Sequence, residues 1–408
     1  MSAPGPLHQS SAAAQPWHQH TDPRPRRAGR VINILLLCLL ALVLLGTLAY
    51  FAVSLGASVF GICGALALVP LALCLLTLHW IDRWDPEPNG ALLFAFCWGA
   101  GMSVVTSLVL GSWVQPLLLG SSAGSDPHLV SAVIQAPLVE ETSKGLGVLL
   151  LFFLRRKTFD GPVDGVVYAG TIAAGFAFTE NILYFGSALS GADDASGGLL
   201  GIFLVRGLMS PFAHVMFTSM LGAIVGFAAR RGSTGIVVGA WVVGLVPAMF
   251  LHGLWNSTSL MGSNFLIAYG ALQVPIFIAF VLGVVFLRRA ETKLTQLRLA
   301  DYVPSGWFTE AEVPMLVTAA GRRRALHWAN GFGAGKTMRE FIRLATRLAF
   351  TRQRIVAGAA HGAAGKAAGS RAAARFAAAQ ADELALLQGA AAVRAALLAL
   401  HGAAQRAS

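Results

Sequence analysis

Glu140, Glu141 and Lys144 fall in one long apolar run, and Glu180, Arg206, His214 and His252 fall in three later ones. A charge near the centre of a bilayer costs a few kcal/mol or more unless it is paired or faces a polar cavity. Five such groups with two histidines point to a polar site assembled inside a helical bundle. Lys144 lies three and four residues beyond the two glutamates and shares a helix face with each. One carboxylate is expected to meet Lys144 while the other faces a cavity, where it could serve as a general base or acid. The plainer alternative is an ion pair that locks two helices together.

Glu180, followed by Asn181, lies about eight residues, roughly 12 Å, from the C-terminal end of its run, and Arg206 lies as far from the start of the next, so both sit at one depth from the same side. They are expected to pair, which leaves Glu180 as either a metal ligand or a structural partner of Arg206. His252 and Asn256 lie one turn apart on one helix face, and His214 lies at similar depth. Such a set can bind zinc or activate water, and histidine and asparagine can donate to a developing oxyanion. His214, His252 and Glu180 are therefore candidate ligands for Zn2+.

The elements that must position these residues are helices. Of 408 residues, 56% are hydrophobic and 12% charged, against about 25% charged in soluble domains; mean hydropathy is +0.66. The apolar runs are continuous rather than alternating, which predicts membrane-spanning helices. The expected fold is an all-α polytopic bundle with eight spans: 31–53, 57–78, 91–111, 129–154, 163–188, 198–229, 234–257 and 265–287. Arg24, Arg26, Arg27 and Arg30 precede the first span. Arg83 follows the second, Arg155, Arg156 and Lys157 the fourth, Arg230 and Arg231 the sixth, and Arg288, Arg289 and Lys293 the eighth. The alternate loops hold Asp126, Asp193 and Asp194 and no Lys or Arg. That alternation predicts a multi-pass cell-membrane protein with both termini cytoplasmic. Residues 1–30 read as a disordered cytoplasmic segment, 31–287 as the membrane domain and 288–408 as a cytoplasmic, basic, Ala-rich helical tail. A turn-rich linker is expected at 301–312, and helices at 336–357 and 371–402.

The net charge of +11 suits attraction to anionic headgroups of the lipid bilayer. Without a basic module interleaved with aromatics, it does not indicate nucleic acid. The four cysteines lie inside spans and read as small apolar packers. Residues 331–337 (GFGAGKT) resemble a phosphate-binding loop, but that loop needs Gly six positions before the Lys, where this chain has Asn330. No nucleotide is expected.

The chain resembles the PrsW family of intramembrane proteases, within the wider CAAX-prenyl-protease and Abi superfamily. The matching stretches are DRWDPEPNGAL (82–92), EETSK (140–144), DGVVYAGTIAAGFAFTENILYF (164–185), HVMFTSMLGAIVG (214–226) and HGLWN (252–256). Lys144 and Ser210, where some superfamily members carry Arg and Phe, suit the PrsW branch and argue against prenylated substrates. The resemblance implies a site of Glu140, Glu141, His214, His252 and Asn256. Glu140 would activate water, with its charge tuned by Glu141 and Lys144. His252 and Asn256 would hold the oxyanion, and His214 would position water or a metal. It also implies a membrane-anchored protein substrate, such as an anti-sigma factor. A non-catalytic scaffold and a proton-coupled carrier remain as alternatives, because binding and ion pathways use the same groups.

Overall fold

The computed structural model describes residues 27–407 apart from 122–125, 157, 192–194, 231–233 and 361–369. Arg24, Arg26, Lys157, Asp193, Asp194 and Arg231, and the expected disorder of the first 26 residues, lie outside that description. Most of the described residues are helical, and there is no strand among them.

The membrane part contains α1 (Arg27–Leu55), α2 (Ala57–Asp82), α3 (89–121), α4 (127–154), α5 (Pro162–Gly191), α6 (195–209), α7 (Ala213–Ala229), α8 (Thr234–Ser259) and α9 (Gly262–Ala300). Among the described residues, eight helices are long and apolar enough to cross a membrane. Seven are expected spans. α4 is left out because it carries three ionisable residues, yet at 1.5 Å per residue its length exceeds the roughly 30 Å hydrocarbon core. The eighth that qualifies by composition is the Ala-rich stretch Phe376–Arg406 of the tail. α6 and α7 were expected as one span. They are separated at Ser210, which leaves helical geometry (φ −130°, ψ 37°) ahead of Pro211, as the residue before a proline tends to do.

α5 is the central column, with α2, α3, α7 and α9 around it. Glycines make its contacts close. A Cβ on Gly165 would lie 1.9 Å from the carbonyl oxygen of Gly222, and one on Gly222 would lie 2.1 Å from that of Gly165. Only small residues let two backbones approach this far in a membrane. Gly165→Ala should therefore cost about 1–3 kcal/mol through overpacking, read as a lower unfolding temperature in detergent. Gly61→Ala, where a Cβ meets nothing within 4 Å, should cost nothing.

Among the described residues, four helices contain a π-wound turn, at Trp98–Ser103, Ser131–Gln135, Leu204–Met209 and Tyr269–Gln273. Such turns displace carbonyls from their usual helical partners and recur at functional sites.

The tail is a separate helical unit of α10 (Glu312–Val317), α11 (Ala319–Asn330), α12 (Gly335–Ala360) and α13 (Ser370–Ala407). Its own core includes Leu316, Phe341, Leu348, Leu387 and Leu397. Residues 301–311 are turns, as expected. The GFGAGKT stretch follows helix α11 rather than a strand. α9 continues unbroken to Ala300, so the expected boundary at 287–288 falls inside a helix.

The tail docks on the loop between α2 and α3 and on the start of α5. Arg322 donates to the carbonyl of Trp84 at 2.8 Å and lies 3.6 Å over its ring. Arg354 donates to Asp160 at 2.7 Å. Beneath them the loop is tied inward. The Asp82 carboxylate accepts from the backbone of Glu87, and Glu87 accepts from the Tyr168 hydroxyl. Asp164 accepts from the backbones of Asp160 and Gly161, both at 2.8 Å, and caps α5.

Burial, together with the charge of Asp160, pushes the Asp85 carboxyl up to about 7 from an ordinary 3.8. Burial also raises Glu87 and Asp160. A carboxyl with a raised value in the docked state favours docking when protonated, so docking should weaken as pH rises from about 4 through about 7. Spin labels at Gly90 and Arg323 should report a broader distance distribution at pH 8 than at pH 5.5.

Candidate active site

The three residues of EETSK that carry charge are drawn together by helix geometry. Lys144 donates to Glu141 Oε1 at 2.7 Å and reaches Glu140 Oε2 at 3.4 Å. It was expected to meet one carboxylate and it meets both, because its long stem spans the i−3 and i−4 positions. Lys144 and Glu141 are fully buried, whereas the side chain of Glu140 is 11% exposed.

Glu141 is the most constrained group. Besides Lys144 it holds His252 Nδ1 at 2.9 Å through Oε1, and it accepts from the Thr218 hydroxyl at 2.8 Å through Oε2. One carboxylate thus ties α4 to α7 and α8. A carboxylate can only accept, so His252 Nδ1 carries its hydrogen. That leaves His252 Nε2, 3.8 Å from Glu140 Oε2, as the free nitrogen.

His214 is fixed in the same manner. Nε2 lies 2.9 Å from Glu180 Oε2 and donates to it, so Nδ1, 3.2 Å from Lys144 Nζ, accepts. Glu180 pairs with Arg206 as expected. Arg206 Nε donates to Asn181 Oδ1 at 3.0 Å, and its guanidinium lies 3.9 Å from the centroid of the Tyr184 ring. Phe176, 4.0 Å from Lys144 Nζ, and Phe217, stacked on His252, close the apolar sides. A small crevice bordered by Asn181, Arg206, Ser210 and Trp255 reaches His214 at the α6–α7 break.

Eight of the nine residues singled out in the sequence are in this one network. Asn256 is offset. Its amide donates to the carbonyl of Ala132, in a π-wound turn of α4, at 2.7 Å. Thr218 was missed, although it lies one turn after His214 on the same face and the spacing alone could have shown it. Phe176 and Phe217 carried no signal distinct from ordinary core.

Glu140, His214 and His252 each offer a ligand atom within 4.8 Å of one another, all buried, and so form a group that could hold a metal ion. Each histidine is oriented by a carboxylate, as metal-binding histidines usually are. Glu180 is engaged with Arg206 and His214 instead. In type and number the donors suit zinc. The cavity as arranged does not, because Lys144 Nζ sits against two of the three donors. An ion bonded to His214 Nδ1 at about 2.1 Å would lie within about 5 Å of that ammonium. Their repulsion is about 7 kcal/mol at an effective dielectric of 20.

Residues 87–284 match the profile of the PrsW family intramembrane metalloprotease. The chain is 28% identical over 178 residues to Protease PrsW of Geobacillus kaustophilus (strain HTA426), covering 43% of this chain and 69% of that protein. It is 26% identical over 193 residues to Protease PrsW of Clostridioides difficile (strain 630), with coverages of 47% and 76%. Against Protease PrsW of Bacillus subtilis (strain 168) it is 26% identical over 197 residues, with coverages of 48% and 81%. No solved structure matches the chain. The helical membrane fold, the buried Glu/His network and these matches define an intramembrane protease. Within its membrane domain, residues 87–284 are similar to the PrsW family.

Proposed function

We propose that the protein is an endopeptidase that cleaves membrane-anchored regulatory proteins, such as anti-sigma factors, with Glu140 as general base. One observation carries this reading: of the two adjacent glutamates, Glu141 is saturated by Lys144, His252 and Thr218, while Glu140 is the one that reaches the outside of the network. The 3.8 Å gap between Glu140 Oε2 and His252 Nε2 is too long for a hydrogen bond and suits a bridging water. Glu140 takes a proton from that water as its oxygen attacks the scissile carbonyl. His252, held by Glu141 through Nδ1–H, accepts the second hydrogen of that water at Nε2 and orients it. Glu140 then passes its proton to the leaving amine as the C–N bond breaks. Asn256 retains one amide hydrogen beyond that given to Ala132 and supplies it to the oxyanion. Arg206 and Glu180 hold His214, which lines the approach to the site.

His214 lies about 24 Å along α7 from Arg230. With the arginine-rich ends and the tail on the cytoplasmic side, the site falls in the outer half of the membrane, where the extracytoplasmic flank of a single-span substrate would meet it. The break between α6 and α7 is a feature a carrier would share, and cleavage decides between the two. The test is hydrolysis of a panel of single-span peptides in detergent. Wild type should cleave, and Glu140→Gln and His252→Ala should not. Cleavage that survives both substitutions would place the site elsewhere.

A further inference from the structure

The proposed hydrolysis leaves Lys144 unexplained. A buried lysine is costly, and a helix could be locked by far cheaper means. Its surroundings are nevertheless complete. Nζ touches Glu141 Oε1 at 2.7 Å, His214 Nδ1 at 3.2 Å and Glu140 Oε2 at 3.4 Å. The Phe176 ring lies 4.0 Å away, and ammonium groups are attracted to ring faces. Lys144 is tethered to the same helix as both glutamates and is fully buried, so it has no solvent to retreat to. Two of the acceptors around it, Glu140 and His214, are among the three that could hold a metal ion.

We propose that the Lys144 ammonium is the resident cation of the site and that it and a divalent ion exclude each other. The charges agree. Glu140, Glu141 and Glu180 bring three negative charges, and Lys144 and Arg206 bring two positive ones. The network is thus one charge short of neutral, and a divalent ion would overshoot to net positive. Without the ammonium, the same ion would bring the network to neutrality. The orientation of His214 agrees as well. Glu180 takes the hydrogen on Nε2, so the Nδ1 lone pair that a metal would need points at Nζ. The family described as a metalloprotease therefore includes, in this chain, a site whose metal position is taken by a side chain.

Zinc content tests this without recourse to activity, so a failed cleavage assay and a failed metal assay remain distinguishable. Full-length wild type, His252→Ala, Lys144→Met and the double variant Lys144→Met/His252→Ala would be stripped of metal and titrated with zinc in detergent, and protein-bound zinc measured after desalting. Wild type should retain no stoichiometric zinc. Lys144→Met should bind one ion at least about tenfold more tightly than wild type, and the double variant should lose it. If wild type binds one zinc as tightly as Lys144→Met, or binds one zinc that His252→Ala abolishes, Lys144 is not the resident cation. This second comparison stands even if Lys144→Met fails to fold.

Discussion

Glu140→Gln should reduce peptide cleavage by about two to four orders of magnitude, the usual contribution of a general base, while leaving the protein folded. Glutamine keeps the shape and removes the charge. The loss to Lys144 is small, since its contact with Glu140 is 3.4 Å long and the shorter one, 2.7 Å, goes to Glu141. Activity should fall in kcat with little change in KM, because Glu140 acts on water rather than holding substrate. Unfolding temperature and detergent elution profile should match wild type. A Glu140→Gln variant that keeps a tenth or more of the activity would remove Glu140 from the chemistry and leave His252 as the base to examine.

Glu141→Ala should do the reverse and act first on stability. It removes the acceptor of three buried donors from three helices and leaves Lys144 with a single carboxylate partner, the more distant Glu140. Breaking one side of a buried ion pair costs about 3–5 kcal/mol, because the remaining charge is uncompensated. Thr218→Val, which removes one neutral donor from the same carboxylate, should cost only about 1 kcal/mol. Chemical or thermal unfolding in detergent orders the three proteins as wild type, Thr218→Val, then Glu141→Ala. If Glu140→Gln proves the less stable and Glu141→Ala the merely inactive one, the roles of the adjacent glutamates are exchanged.

Much of the site was legible in the sequence because charge inside an apolar run is conspicuous. Glu180 and Arg206 were paired by depth alone, and Lys144 was placed on the glutamate face by helix periodicity. What could not be read was convergence. Periodicity describes one helix, and the contact of Lys144 with His214, 70 residues away, depends on how α4 and α7 cross. Asn256 was aimed at the site by its spacing from His252, yet its donor goes to a carbonyl in a π-wound turn, a deviation with no sequence signature. Apolarity identified the membrane helices well, but it misjudges Ala-rich α13, whose charges bind other tail groups, as Arg394 does Glu312. The docking of DRWDPEP under Arg322 was invisible, because an acidic loop and an arginine 238 residues apart share no pattern.

The unbroken course of α9 makes it a shaft. Its 39 residues extend roughly 58 Å at 1.5 Å per residue, from the tail core at Leu299 to the far end of the membrane domain. There the Tyr269 hydroxyl donates to the carbonyl of Met209, and Gln273 donates to Thr258. Met209 is the last residue of α6 before the break that borders the crevice. A rod gripped at both ends transmits torsion. A load that turns the tail about the α9 axis is therefore delivered not to the acidic loop alone but also to the hinge beside His214, at the other end of the helix.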